Sequence, residues 1–167
     1  AHQWLLVGWV VPMVISGVLV TVAAWLVQRF APVAAGSGVQ HVEAVMRGQA
    51  DPAPLAVVPV KFIGGVLAIG SGMALGREGP SVQVGATIGA WIAQRLKLRD
   101  DSVRIMQSAV AGASHGVAFN TPLGGIAFVF EELSRRFTTR LMVTTLAACA
   151  SAILVARIIS GDSVDFN

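Results

Sequence analysis

Between residues 57 and 93 this chain carries charge at only three positions, Lys61, Arg77 and Glu78. Lys61 stands alone in Val57–Leu75, and Ser81–Ala93 has no charge at all. Such runs suit a bilayer, whose hydrocarbon core is crossed by about 20 apolar residues. An acid at that depth is costly enough to count as a functional candidate. Arg77 and Glu78 lie between the two runs in Gly76-Arg77-Glu78-Gly79-Pro80, beside two backbone breakers. Proline suits a first helical turn, so Gly79-Pro80 predicts a break and a new helix. The first amides of that helix, on Ser81, Val82 and Gln83, are predicted to face outward and form an anion site with the helix dipole. A broken helix, an acid and an anion-binding helix start in one place point to ion transport.

Composition agrees with a membrane protein. Hydrophobic residues make up 54% of the 167 residues and charged residues 13%, against about 25% charged in a soluble domain. The net charge is +3. No basic stripe interleaved with aromatics accompanies it, so nucleic acid is excluded as a partner. Basic loops beside apolar spans are the positive-inside pattern. Cys149 is single and sits in an apolar run, which predicts a small core residue and no internal disulfide. No His, Cys and acids fall at metal-ligand spacing, and there is no nucleophile–base constellation or phosphate loop. The expectation is therefore no metal site, no cofactor and no enzyme. No tract resembles a cleaved signal peptide, and the chain starts at Ala1 rather than Met, as an excised fragment would.

The predicted elements are helical throughout, because no strand-like alternation persists. Trp4–Val27 is long enough to span and is ended by Arg29 and Pro32. Ala34–Arg47 is a short amphipathic piece that starts at Gly36-Ser37-Gly38, and Asp51-Pro52-Ala53-Pro54 is a loop. Pro59–Leu75, Pro80–Leu96 and Ser102–Phe119 are the next three spans. Gly85 and Gly89 share one face, as do Gly112 and Gly116, a spacing that lets helix backbones approach closely. Asn120-Thr121-Pro122 breaks the chain, Pro122–Leu133 is a short apolar helix ending in two acids, and Leu141–Ile159 is the last span. Trp4, Trp9, Trp25 and Trp91 suit interface anchors or packing, and His2 and His41 suit loops or interfaces. The basic loops Arg95–Arg104 and Arg135–Arg140 should share the cytoplasmic side if the two helices between them cross and return. The expected architecture is one all-α, polytopic transmembrane domain over residues 1–167, with tilted and broken helices.

Four groups carry the functional reading. Ser37 places a hydroxyl beside the amides of a helix start, although Gly36-Ser37-Gly38 is equally what a turn with a capping serine looks like. Glu78 would occupy an adjacent anion site when ionised and vacate it when protonated; its competing role is an ion pair with Arg77 or a loop acid facing solvent. Glu131 and Glu132, followed by Arg135, Arg136 and Arg140, read on pattern alone as a solvated, salt-bridged helix end. The alternative there is an acid for proton entry. His115 stands in the small-residue run Ala111–Gly116, where a hydrogen-bonded packing role outweighs a proton role.

Together these motifs resemble the CLC family of chloride channels and chloride/proton exchangers, over nearly the whole chain. Gly36-Ser37-Gly38-Val39 is similar to the family's serine-bearing anion motif. Pro59-Val60-Lys61-Phe62 with Leu75-Gly76-Arg77-Glu78-Gly79-Pro80 is similar to its next motif. Phe119-Asn120-Thr121-Pro122-Leu123 and Glu131-Glu132-Leu133 follow in the family's order. The resemblance implies one inverted-repeat half of the CLC fold, the first half of the parent transporter. It implies that Gly36, Ser37, Gly38 and Gly79 bind the anion, with the Ser37 hydroxyl donating to it. Glu78 would be the external gate, competing with the anion and carrying the proton, and Glu132 the internal proton glutamate.

Channels of the family generally lack an acid at the Glu132 position, so the resemblance favours chloride/proton antiport over a passive voltage- or pH-gated chloride channel. It implies a homodimer in a bacterial inner or cell membrane, with part of its interface around Pro122–Leu133 and Leu141–Ile159. A complementary C-terminal half of the same protein would be needed as partner; without it the fragment would not transport. That half would supply another anion-binding helix start and a tyrosine hydroxyl, and this chain has no Tyr. One departure concerns selectivity: the serine motif usually continues with Pro and an acid, and here Gln40 and His41 stand there.

Overall fold

The computed structural model describes residues 2–76, 78–134 and 137–160. Arg77, Arg135, Arg136 and the side chains of His2 and Trp4, all invoked above, lie outside the described residues. Among the described residues the chain forms seven α-helices and no strand. They are α1 (His2–Phe30), α2 (Val39–Met46), α3 (Val57–Gly70), α4 (Glu78–Arg95), α5 (Asp100–Ala118), α6 (Pro122–Phe128) and α7 (Thr139–Ser160). A short 3-10 turn, Pro32–Ala34, follows α1, and a π-helical turn, Val129–Ser134, continues α6.

Helix ends follow local chemistry. Pro32 ends α1 and opens the 3-10 turn, its fixed φ suiting a first helical position. Asn120, with φ +52°, takes the left-handed conformation that asparagine tolerates better than most residues and closes α5. Thr121 is extended, as the residue before a proline is steered to be, and Pro122 opens α6.

The expected spans were only partly right. Two stretches, Trp9–Phe30 and Thr139–Ile159, are long and apolar enough to cross a membrane by length and composition. The expected Pro59–Leu75 span is instead the 14-residue α3, closed at Gly70 before Gly72, whose φ is +89°. At about 1.5 Å per residue it reaches only about 21 Å, short of the core thickness. α4 and α5 are more polar than a lipid-facing span because their faces meet protein. Gln83, Thr87, Gln107 and Ser108 are all buried there.

Two packed groups result. α1 lies on α3 through Ala31, Ala34, Val57 and Val60, with Val27 and Ala53 beside them. The Ser16 hydroxyl donates to the Ser71 carbonyl (2.6 Å) and ties α1 to the end of α3. The second group centres on α5, which packs on α4, α6 and α7. α2 is tucked against α4, α5 and the π-helical turn, around Val42, Val82, Ala111, Phe130, Leu133 and Leu141.

Both glycine pairs are close-approach points. A Cβ on Gly89 would lie 2.9 Å from Val110 and 3.0 Å from the Met106 carbonyl, and one on Gly85 would strike Ser114. Gly112 and Gly116 face α6, where a Cβ on Gly112 would lie 2.8 Å from the Gly125 carbonyl. Side chains such as Trp9, Met13, Leu154 and Ile158 point outward, as a lipid-facing surface requires. Arg140 donates to the Ser102 hydroxyl (2.9 Å), so the start of α7 and the start of α5 lie together. Arg140, the described arginine of the second basic stretch, thus lies at the end of the bundle where α5 starts.

A candidate anion site where two chain breaks meet

The loop between the 3-10 turn and α2 is shaped by two left-handed glycines, Gly36 (φ +69°) and Gly38 (φ +84°). Between them Ser37 is turned outward, and its hydroxyl oxygen accepts a long bond from the Val39 amide (3.4 Å). The N-cap of α2 is Gly38, with no side-chain cap bond, so the capping-serine role is not built and Ser37 gives the helix only this one long bond.

Two buried side chains hold this loop. Lys61, 5% exposed, donates from Nζ to the Ala34 carbonyl (2.8 Å) and the Gly36 carbonyl (2.6 Å). Gln83, fully buried on α4, donates from Nε2 to the Val33 carbonyl (2.8 Å) and lies against Gly38. The Ala34 and Gly36 carbonyls are thereby fixed on the lysine just before Ser37.

The second chain break meets the first here. A Cβ on Gly79 would lie 2.8 Å from the Ser37 Cβ, 3.1 Å from its Cα and 3.2 Å from its carbonyl oxygen. Only glycine permits that approach. Glu78 is half-buried and folds back over Gly76. Gly36, Ser37, Lys61, Glu78 and Gly79 all line one cavity of about 680 Å³, walled otherwise mainly by apolar residues of α1 and α3 such as Val20, Val27 and Gly64, with Gln28 as a further polar residue. A hydroxyl donor, a helix start, a lysine and one carboxylate thus share an apolar chamber. Chemically that chamber can hold a small anion, with the carboxylate as its competitor.

One detail departs from the expectation. α4 begins at Glu78 rather than Pro80, which puts the amides of Val82 and Gln83 inside the helical ladder. The amides that precede the ladder are those of Glu78 and Gly79, and Pro80 has none.

Residues 18–167 match the family described as voltage gated chloride channel. The chain belongs to that family. Within it, the chain is 41% identical over 157 residues to the H(+)/Cl(-) exchange transporter ClcA of Vibrio cholerae, covering 92% of this chain and 33% of that protein. It is 38% identical over 160 residues to the transporter of the same description from Klebsiella pneumoniae, covering 95% and 33%. A crystal structure of a slow cyanobacterial Cl-/H+ antiporter superposes with a TM-score of 0.82 at 37% identity, covering 93% of this chain and 37% of that one. The chain spans about a third of the length of the curated relatives it matches.

The remaining residues of this voltage-gated chloride channel family member fall as follows. Glu131 and Glu132 are exposed on the π-helical turn, away from the chamber lining. Arg140 turns to Ser102 rather than to these acids, so the salt-bridged helix end is not built by that arginine. Cys149 is buried against Gly125, and no group of three or more potential metal ligands occurs among the described residues. His115 packs against Phe119 and Phe128, as the packing part of the expectation has it, while its Nδ1 is buried with no hydrogen-bond partner.

Lys61 and Gln83 were missed as loop anchors. The available signal was polarity, strongest for Lys61 as the one polar residue of α3 and weaker for Gln83 among the other polar residues of α4, but nothing in the pattern names the carbonyls they meet.

The Gly79–Ser37 approach gives a sharp expectation. In the full-length protein Gly79→Ala should displace the serine loop by a few tenths of an ångström or more and weaken anion binding about tenfold, with little loss of fold. Chloride titration by calorimetry against the unmodified protein checks this. An unaltered dissociation constant would mean that the contact is not part of the site.

Proposed function

We propose that the full-length protein exchanges chloride for protons across a bacterial cell membrane, as a homodimer with one pathway in each subunit. Residues 1–167 would be a single transmembrane domain, the first half of the transport unit. They would provide one side of each pathway, and the remainder of the protein would complete it. The observation that carries this reading is the contact of Ser37 with Gly79 at the mouth of the Glu78 chamber. The names of the relatives and of the superposed antiporter support it.

On this reading the Ser37 hydroxyl and the α4 start hold chloride without a full opposing charge, firm enough for entry and weak enough for release. Gly36 and Gly38 set the loop, and Gly79 lets the helix start reach it. Glu78, ionised, competes with chloride for the same positive end; protonated, it withdraws and carries a proton. Glu132 exchanges protons with the cytoplasmic side, which its exposure on the π-helical turn suits. Chloride is cargo rather than cofactor, no covalent chemistry is involved, and no nucleic acid takes part.

Paired chloride and proton flux in liposomes tests the proposal. Full-length protein should drive protons against their gradient at the expense of chloride. Glu78→Gln and Glu132→Val should each abolish proton movement, the latter sparing chloride flux. Chloride flux without protons in the unmodified protein would make it a passive channel, and Glu132 a helix-end acid. Residues 1–167 reconstituted alone should move neither ion.

A further inference from the structure

His115 has no part in the scheme above, and its surroundings are unusual for a packing residue. The ring lies parallel to Phe128, with centroids 4.4 Å apart and planes 9° apart, and 4.8 Å from the Phe119 ring. Its Nδ1 is buried with no hydrogen-bond partner. A buried polar atom without a partner is destabilising. Leu or Phe would fill the same slot without that penalty. What imidazole adds is the ability to take up and release a proton near neutral pH.

The position fits such a use. α4 and α5 pack with Gly85 against Ser114 and Gly89 against Val110, which brings the start of α4, with Glu78, toward the end of α5 that carries His115. On the other side Phe128 is the last residue of α6, and the next turn carries Glu131 and Glu132. The ring therefore stands between the acid of the chamber and the acids of the basic end. Other ionisable groups on the helices around α5 lie elsewhere along their elements. They are Asp100, Asp101 and Arg104 at the start of α5 itself, Arg95 at the far end of α4, Arg140 and Arg157 near the ends of α7 with Cys149 between, and His41 and Glu43 on α2, while Lys61 of α3 lines a cavity with Ala113 and Ser114.

We infer that His115 is a proton carrier between Glu78 and Glu132, an inference that rests on the reading of those two acids as the ends of the proton route. Nδ1 takes the proton of the Glu78 carboxylic acid, leaving a carboxylate and an imidazolium. The imidazolium gives the proton up toward the Glu132 carboxylate and returns to neutral. No other reactant is needed.

The test compares unmodified full-length protein with His115→Leu in the paired-flux assay and reads the ratio of chloride to protons moved. The ratio should rise about tenfold or more, as expected for loss of one proton-transferring group. His115→Leu with an unchanged ratio, beside an unmodified protein that exchanges the two ions, overturns the carrier alone. An unmodified protein that moves chloride but no protons overturns the antiport reading and the carrier with it. Should His115→Leu fail to fold, ¹⁵N-histidine spectra of the full-length protein decide. The ring should change protonation state as pH is varied, with a midpoint that moves in Glu78→Gln. A ring that stays neutral throughout, or a midpoint indifferent to Glu78→Gln, sinks the inference.

Discussion

Lys61→Met in the full-length protein is expected to weaken chloride binding by tenfold or more and to destabilise the fold by about 3 kcal/mol. The ammonium is buried and makes two short bonds, to the carbonyls of Ala34 and Gly36. Those carbonyls flank the backbone that leads directly into Ser37. A hydrogen bond to a charged group contributes about 1.5–3 kcal/mol, and removing the donor leaves the acceptor to bear its own desolvation. Methionine keeps the length and apolar stem of lysine, so the change isolates the ammonium. With both bonds gone, the loop between two left-handed glycines has little to hold its shape, and the hydroxyl loses its fixed direction. A tenfold loss of affinity corresponds to about 1.4 kcal/mol, less than either bond can supply. Calorimetric titration with chloride, beside thermal unfolding in detergent, reads both effects. Normal affinity with a lowered melting temperature would make Lys61 a purely structural residue.

A larger effect on stability is expected at Gly112. A side chain there would run into Val129, would come within 2.8 Å of the Gly125 carbonyl and would approach the Thr145 methyl at 3.4 Å. One obstacle is backbone, and Gly125 is itself enclosed by the Gly112 carbonyl and by Cys149 Sγ at 3.1 Å. Relief must therefore come from moving α6 or α7 as a whole. Overpacking of a well-filled contact costs about 1–3 kcal/mol when side chains alone adjust; Gly112→Val should reach or exceed the upper end. It should appear as loss of monodisperse full-length protein in detergent and a large drop in melting temperature. Gly17→Ala is the control, since a Cβ on Gly17 meets nothing within 4 Å. Equal stability of the two variants would show that α5 and α6 have slack at this contact.

These two residues mark the extent of what could be read from the chain. The Gly112/Gly116 and Gly85/Gly89 pairs were visible as small-residue faces, because helical spacing alone puts residues four apart on one side. Gly64 and Gly65 look similar in sequence and both line the chamber, yet a Cβ on Gly64 would touch Val27 of α1 at 3.8 Å while one on Gly65 would meet nothing within 4 Å. Spacing assigns a face and is silent about the opposite wall. Lys61 was conspicuous as the one charge in its run, but its acceptors lie more than twenty residues earlier. The continuation of α6 as a π-helical turn under Glu131 and Glu132 left no mark, since a π turn differs from an α turn by one residue of hydrogen-bond register rather than by composition.

By itself the sequence determined the class and the local plan. Long uncharged runs require a bilayer or a buried face, and Pro, Gly and Asn place the breaks at Pro32, Asn120 and Gly79 through backbone sterics that act within a few residues. It also determined which residue types stand at those breaks: a serine at one and a glutamate at another. Only the tertiary structure decided that the two breaks meet. Whether Gly79 touches Ser37, and whether Glu78 opens into the same chamber as Lys61, depends on how closely helices distant in the chain approach. That distance is set by the summed contacts of small residues across several interfaces, a quantity no local stretch of sequence contains.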